Sequence, residues 1–255
     1  MKGLLNQVAI VTGGGGAIGK SICLRLAEEG TVVGVLDLNK EAATATVDTI
    51  TQAGGRAHAI AVDITDYKAV LSAIKEFEQS QGGVDVLVNN AGWDRIANFI
   101  DTSPEFWERV VKINYQGTLN VTHAVITGMA GRGAGRVINI ASDAGRVGSS
   151  GEAVYAGCKA AVIAFGKTIA RELAGQNITV NAVCPGPTDT PLFWAAMANE
   201  EVGQKIADGL KRAIPLKRLG QPEDLAGIVA FLATSEASFI TGQVISVSGG
   251  LTMHG

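Results

Sequence analysis

Tyr155 and Lys159 stand four residues apart in a stretch with the apolar period of a helix, so both side chains project from one face. A phenol with an ordinary pKa of about 10 removes an alcohol's proton near neutral pH only where positive charge stabilises the phenolate. Lys159 and an oxidised nicotinamide ring are the charges that would do so, and the pair therefore points to hydride transfer between a secondary alcohol or ketone and a nicotinamide. Tyr-x-x-x-Lys alone is a weak signal, because an exposed helix pair has the same spacing. Ser142 adds to it. It follows an apolar run ending at Ala141, at the edge of a parallel sheet where ligands bind, and its hydroxyl is placed to bond a substrate oxygen. A Ser-His-Asp hydrolase competes for the same serine, but no GxSxG surrounds Ser142 and His254 lies at the chain's end. Asn114, in KINYQG, is a poor helix former within a helical stretch. Its side chain could bridge to Lys159 through water, although an exposed or capping asparagine is the plainer reading of the residue taken alone.

A dinucleotide site is written earlier in the chain. An apolar run enters Thr12, Gly13, Gly14, Gly15, Gly16, Ala17, Ile18 and Gly19, and a helical pattern follows at once. Strand before and helix after give the glycines a purpose: backbone N–H groups at a helix N-terminus can approach a pyrophosphate, where the helix dipole favours negative charge. Asp37 ends the next apolar run, 18 residues beyond Gly19, close to the spacing at which a carboxylate meets the adenosine ribose hydroxyls. A carboxylate there repels a 2'-phosphate and predicts NAD. Asp63 follows the third run, and its residue type reads first as the cap of the following helix, with adenine contact as the alternative.

The elements that must position these residues alternate between short β-branched runs and longer helical ones, the pattern of βαβ units around one parallel sheet covered on both faces. Strands are predicted at 7–12, 31–36, 57–62, 84–89, 136–141, 178–183 and 244–247, and helices at 18–29, 40–53, 67–79, 104–127, 152–174 and 222–233. The fold class expected is α/β, one Rossmann-type doubly wound sheet of seven strands in a single domain spanning 1–255. The glycine-rich stretch at 128–135 reads as a helix-to-strand loop. Residues 188–217 break the alternation and carry Leu192, Phe193, Trp194 and Met197, which makes this segment a substrate lid on a loop.

Composition narrows the partners. A net charge of -3 with scattered Lys and Arg leaves no basic stripe for nucleic acid, although Lys211, Arg212, Lys217 and Arg218 could meet an anionic substrate. Cys23, Cys158 and Cys184 have no ligand or disulfide spacing and read as free, buried thiols of a reducing compartment. His58, His123 and His254 show no ligand spacing, so no metal is expected. With no signal-peptide pattern and no run of about twenty apolar residues, the expected location is the cytoplasm, away from any membrane.

Taken together and in order, TGGGGAIG, Asp63, NNAG at 89–92, Asn114, Ser142, YxxxK and CPGPTDT resemble the short-chain dehydrogenase/reductase family over essentially the whole chain. The resemblance implies a tetrad of Asn114, Ser142, Tyr155 and Lys159. It also implies cofactor contacts from Gly13, Gly16, Ile18, Gly19, Asp37, Asp63, Asn90, Gly92, Tyr155, Lys159, Pro185, Gly186, Thr188 and Thr190, and a homotetramer built partly through the helices that carry Asn114 and Tyr155. Ala17 stands where the family usually has glycine, and Ser248 where it often has aspartate. Within the family, DAGRVGSSGEAVYAGCKA and SVSGGLTMHG are similar to the branch that oxidises 2-hydroxycyclohexanecarboxyl-CoA in aromatic and alicyclic acid degradation. That likeness implies a small-molecule substrate in the form of a hydroxyacyl-CoA thioester, with Arg95, Arg146 or the stretch near Lys211 meeting its phosphates. The same-class rival is an oxoacyl-carrier-protein reductase using NADPH, and the rival of another class is a dinucleotide-binding regulator without turnover.

Overall fold

The computed structural model describes residues 1–197 and 199–253; His254 lies outside the described residues. Among these, one sheet of seven parallel strands is formed by β1 (Val8–Thr12), β2 (Val32–Asp37), β3 (Arg56–Ala61), β4 (Val86–Asn89), β5 (Gly135–Ile140), β6 (Ile178–Pro185) and β7 (Val244–Val247), in the order β3-β2-β1-β4-β5-β6-β7. The order reverses between β1 and β4, whose register pairs Ile10 with Leu87, and a crevice opens beyond the carboxyl ends of these two strands. Every predicted strand is present, and β6 runs on to Pro185.

The helices are α1 (Ala17–Glu28), α2 (Lys40–Gln52), α3 (Tyr67–Gln81), α4 (Pro104–Val111), α5 (Gly117–Arg132), α6 (Ala144–Val147), α7 (Ala153–Leu173), α8 (Pro191–Ala195), α9 (Glu200–Ala213) and α10 (Pro222–Ala233). They cover both faces of the inner strands, which is why β1, β2 and β4 read as unbroken apolar runs, while the edge strand β3 is largely exposed. Along β1, Ala9 and Val11 enter the core with Ile22 and Leu26 of α1 and Leu225 and Val229 of α10, while Val8 and Ile10 enter the opposite core with Val70 and Ile74 of α3 and Val121 and Val125 of α5. Each fully buried Val, Leu or Ile among them contributes about 1.5–3 kcal/mol. The three cysteines are free and buried.

Three expectations need correction. The predicted helix over 104–127 is interrupted at Lys112–Gln116 by one widened turn, and α5 then continues to Arg132, so only Gly133 and Ala134 connect it to β5 and the stretch 128–135 is not a loop. Gly133, at φ 68°, ends α5 in a left-handed conformation, which is where this glycine is needed. The segment 188–217 is largely helical rather than loop, because Thr190 and Asn199 accept hydrogen bonds from the first turns of α8 and α9. Finally, Ala153–Gln176 is long and apolar enough to cross a membrane by length and composition, contrary to the expectation that no such run exists. In the fold its Val162, Gly166 and Ala170 are buried, with Ala170 packed in the core beside Ile178 and Val180 of β6.

Candidate active site

At the carboxyl edge of the sheet lies a cleft of about 1370 Å³. Every residue expected to act in the tetrad or to hold the cofactor lines it except Asn114, which is fully buried behind its wall.

The glycine-rich turn forms one end. Gly13 has φ 63°, a left-handed backbone that lets its carbonyl accept from Gly16 N–H at 3.1 Å. Gly19 presses against the same carbonyl so closely that a Cβ would lie 2.0 Å from Gly13 O. Gly16 caps α1 without any side-chain acceptor, so the first N–H groups of a 12-residue helix face the cleft unoccupied by the chain's own side chains. Asn90 locks the turn to the end of β4: its N–H donates to Thr12 Oγ1 at 2.9 Å and its Nδ2 to Thr12 O at 2.9 Å and Gly13 O at 3.2 Å. Ala17, the departure from the family's glycine, begins α1 and lines the cleft.

Asp37 is held rigidly beside this turn, its Oδ2 accepting from Gly15 N–H and its Oδ1 from Asn39 N–H, each at 2.9 Å. Asp63 is not the helix cap that its residue type suggested. Its Oδ1 accepts from Thr65 N–H at 2.8 Å, and Asp66 caps α3 instead, because the chain makes one further turn after β3 before the helix starts. Across the cleft, Thr188 donates to Gly186 O at 2.9 Å and Thr190 caps α8, which keeps the segment from Pro185 folded along the rim. Free helix N–H groups, a cradle that excludes any Cβ, and a fixed carboxylate at ribose spacing fit a dinucleotide.

At the other end, Ser142 follows β5, its Oγ accepts from Ala144 N–H at 3.1 Å, and it lines the cleft with the Tyr155 phenol. Lys159 is buried and donates to Ile140 O at 3.0 Å, with its Nζ 5.4 Å from the centre of the Tyr155 ring. Burial, above all, pushes Lys159 down to about 8. Burial also holds the Tyr155 phenol above its ordinary range, helped by the negative charges of Glu152 and Asp94 and opposed by the neighbouring Ser142 hydroxyl. The expectation that Lys159 would pull the phenol down is therefore not met in the protein alone, since burial outweighs it. The phenol stays protonated at neutral pH.

Asn114 sits in the widened turn. Its Nδ2 donates to Val110 O at 2.9 Å, the carbonyl four residues back that a regular helix would give to a backbone N–H, and this competition accounts for the extra residue in the turn. Its amide also clamps Trp93, donating to Trp93 O at 2.6 Å and accepting from Trp93 N–H at 3.2 Å. The plainer reading of an exposed or capping asparagine is overturned by its complete burial. Gly92 lies where a Cβ would be 2.9 Å from Asn114 Oδ1 and 3.4 Å from Lys159 Nζ, so a bare backbone is what separates the two groups.

The basic residues expected to meet phosphates do not line the cleft. Arg146 donates to Ser246 Oγ at 2.7 Å, Lys211 pairs with Asp208 at 3.5 Å, Arg218 pairs with Asp224, and Arg95 lies 5.0 Å over Phe106. Arg109, stacked 3.9 Å over Trp93, and Lys112 line it instead. Of the apolar lid residues, Leu192 and Phe193 face the cleft, whereas Trp194 donates to Asp189 at 2.7 Å and Met197 rests near Gly203. Sequence reasoning missed Trp93, Asp94, Arg109 and Glu152. Trp93 and Asp94 directly follow NNAG and could have been found there, while nothing local to Arg109 marks it.

Comparison with known proteins agrees over the same span. A family model described as enoyl-(acyl carrier protein) reductase matches residues 15–252. The 3-oxoacyl-[acyl-carrier-protein] reductase FabG of Thermotoga maritima is 37% identical over 250 residues, covering 98% of this chain and 99% of the relative. The FabG of Staphylococcus epidermidis is 40% identical over 250 residues, 98% of this chain and 100% of the relative. Nodulation protein G of Azospirillum brasilense is 37% identical over 246 residues, 96% of this chain and 98% of the relative.

Proposed function

Since the chain belongs to the short-chain dehydrogenase/reductase family, oxidoreductases acting on CH–OH and C=O groups, we propose that it interconverts a secondary alcohol and a ketone with NAD, on a cyclic β-hydroxyacyl thioester of coenzyme A. The observation that carries the reading is the meeting of the Ser142 hydroxyl, the Tyr155 phenol and the buried Lys159 at the cleft's inner end, opposite the glycine-rich turn.

The residues divide the work. The turn at Gly13, Gly16 and Gly19, the first N–H groups of α1, and Asp37 would hold the dinucleotide, with Asp63 and Asn90 beside the adenine half and Pro185, Gly186, Thr188 and Thr190 along the nicotinamide half. Bound there, the oxidised dinucleotide supplies a hydride acceptor and a positively charged ring. Ser142 would hold the alcohol oxygen, and Tyr155, its phenol ionised beside Lys159 and the positive ring of the bound dinucleotide, would take the proton. Lys159 then passes the proton outward, with Asn114 fixing the loop through Trp93 so that the route keeps its geometry. In the reductive direction the protonated phenol is already the proton donor, consistent with its upward shift. NAD rather than NADP rests on Asp37, because its carboxylate is bonded by the Gly15 and Asn39 backbone N–H groups and meets a 2'-phosphate with like charge. Leu192 and Phe193 on α8 form the lid over the acyl ring, and the assembly proposed is a cytoplasmic homotetramer built through α5 and α7.

A second reading, reduction of a 3-oxoacyl group carried on acyl carrier protein with NADPH, is favoured by the names of the relatives. Steady-state turnover of cyclic alcohols, their CoA thioesters and 3-oxoacyl-carrier-protein with each dinucleotide separates the two. The first reading expects the CoA thioester with NAD to be turned over fastest and Tyr155→Phe to be inert. Retained activity in that variant removes Tyr155 as the base, and a preference for carrier protein with NADPH selects the second reading.

A further inference from the structure

One carboxyl group in the cleft has no part in the hydride chemistry. Asp94 follows Trp93, whose peptide Asn114 holds from both sides, and Ala97 just beyond donates to Gly151 O at 2.9 Å. The loop after β4 is thus tied both to the widened turn and to the start of α7. Asp94 lines the cleft beside Ser142, Glu152 and Tyr155, and its Oδ2 is buried with no hydrogen-bond partner among the described residues. A buried oxygen left this way costs about 1–3 kcal/mol, and more if charged, which a rigidly held loop retains where a ligand supplies the missing partner.

We propose that Asp94 is a specificity-determining residue: its protonated carboxyl donates a hydrogen bond to a second, non-reacting carbonyl oxygen of the substrate, while the charge of the neighbouring Glu152 turns away substrates that carry a free carboxylate there. Burial, as the largest cause, pushes Asp94 up to about 7, with the charge of Glu152 adding to it and the Arg95 backbone N–H, the Arg95 charge and Lys159 opposing. The other groups facing it are Tyr155 and Cys158 on α7. A carboxyl that keeps its proton near neutral pH can donate to a carbonyl, whereas an ionised one cannot. The chemical class this selects is a β-hydroxy or β-oxo acyl group whose acid is masked as a thioester. The inference rests on the thioester reading above and gives that reading a residue.

The test uses the full chain with NAD and three probes: a cyclic secondary alcohol, the N-acetylcysteamine thioester of the corresponding β-hydroxy acid, and the free acid. The wild type is expected to prefer the thioester to the alcohol, with a thioester KM that rises as pH passes about 7. In Asp94→Ala the thioester-to-alcohol ratio of kcat/KM falls by about tenfold or more. In Asp94→Asn, whose amide donates at every pH, the ratio is kept and the rise in KM with pH disappears. An unchanged ratio in Asp94→Ala, or equal losses in the Ala and Asn variants, overturns the proposal, the latter by showing a packing role. A wild type that oxidises the alcohol with no thioester preference overturns it while the dehydrogenase reading stands; no turnover of any probe overturns both.

Discussion

Replacing Asp37 by Asn or Ala should shift the dinucleotide preference toward NADP, and the structure sets the size of the shift. The carboxylate is fixed by Gly15 N–H and Asn39 N–H, each at 2.9 Å, so it cannot swing away from a phosphate placed at the ribose. Two unit charges about 4 Å apart repel by ~1 kcal/mol in water and ~4 kcal/mol at a protein surface. Asp37 is partly buried at the cleft edge, so about 2–3 kcal/mol is a fair intermediate, a preference for NAD on the order of a hundredfold. Removing the charge should raise kcat/KM with NADP by about 10- to 100-fold, and losing the bonds to the ribose should lower it with NAD by about tenfold. The assay is initial-rate kinetics on one alcohol with each dinucleotide varied, beside thermal unfolding to show that the Gly15 turn survives. Two results would refute the reasoning: a wild type that prefers NADP, or variants whose ratio of the two efficiencies stays within about threefold of the wild type.

Other predictions follow from the same geometry. Gly19→Ala puts a methyl 2.0 Å from Gly13 O, a backbone atom that must then move, so dinucleotide affinity measured by calorimetry should fall by on the order of a hundredfold; wild-type affinity would show that the turn is not the cradle. Without dinucleotide, ultraviolet titration of tyrosinate in wild type minus Tyr155→Phe should show no ionisation at neutral pH, because burial raises the phenol, and a signal there would contradict that cause. Lys159→Met should abolish turnover yet stabilise the fold. Burial lowers Lys159 from 10.5 to about 8, so the charged form is disfavoured in the folded state by ~3 kcal/mol, from which ~1 is lost with the bond to Ile140 O. The resulting gain of about 2 kcal/mol raises Tm by roughly 4–8 °C. The sign fixes its pH window: the advantage is full below about 8, fades as the wild type gains stability between about 8 and 10.5, and would be misassigned if it grew with pH.

How much was legible in the sequence depends on the range of the interaction that decides each feature. The seven strands and the glycine-rich turn were written in local patterns: unbroken β-branched runs in the inner strands, whose two faces are covered, and glycines where a left-handed residue and a close backbone approach leave no room for Cβ. The spacing of Tyr155 and Lys159 could be read because a helix has one period, and Ser142 because a strand ends in front of it. Asp37 was legible as well, since a single βαβ unit sets its distance from the turn. The longer helix that holds Asn114 misled for a local reason the periodicity does not register, an amide taking a backbone carbonyl and widening the turn.

What the tertiary structure alone decided are the meetings between distant elements. Asn114 proved to act on Trp93, and the basic residues near the lid found partners in Ser246, Asp208 and Asp224 rather than the cleft. Arg109 came to line it from α4, and Asp94, in the same cleft wall as Tyr155, was left with an orphaned oxygen. Periodicity and turn chemistry act within a few residues and are therefore written along the chain. The field around a phenol and the partners of a charge are sums over whatever the folded chain brings near, and those sums exist only in three dimensions.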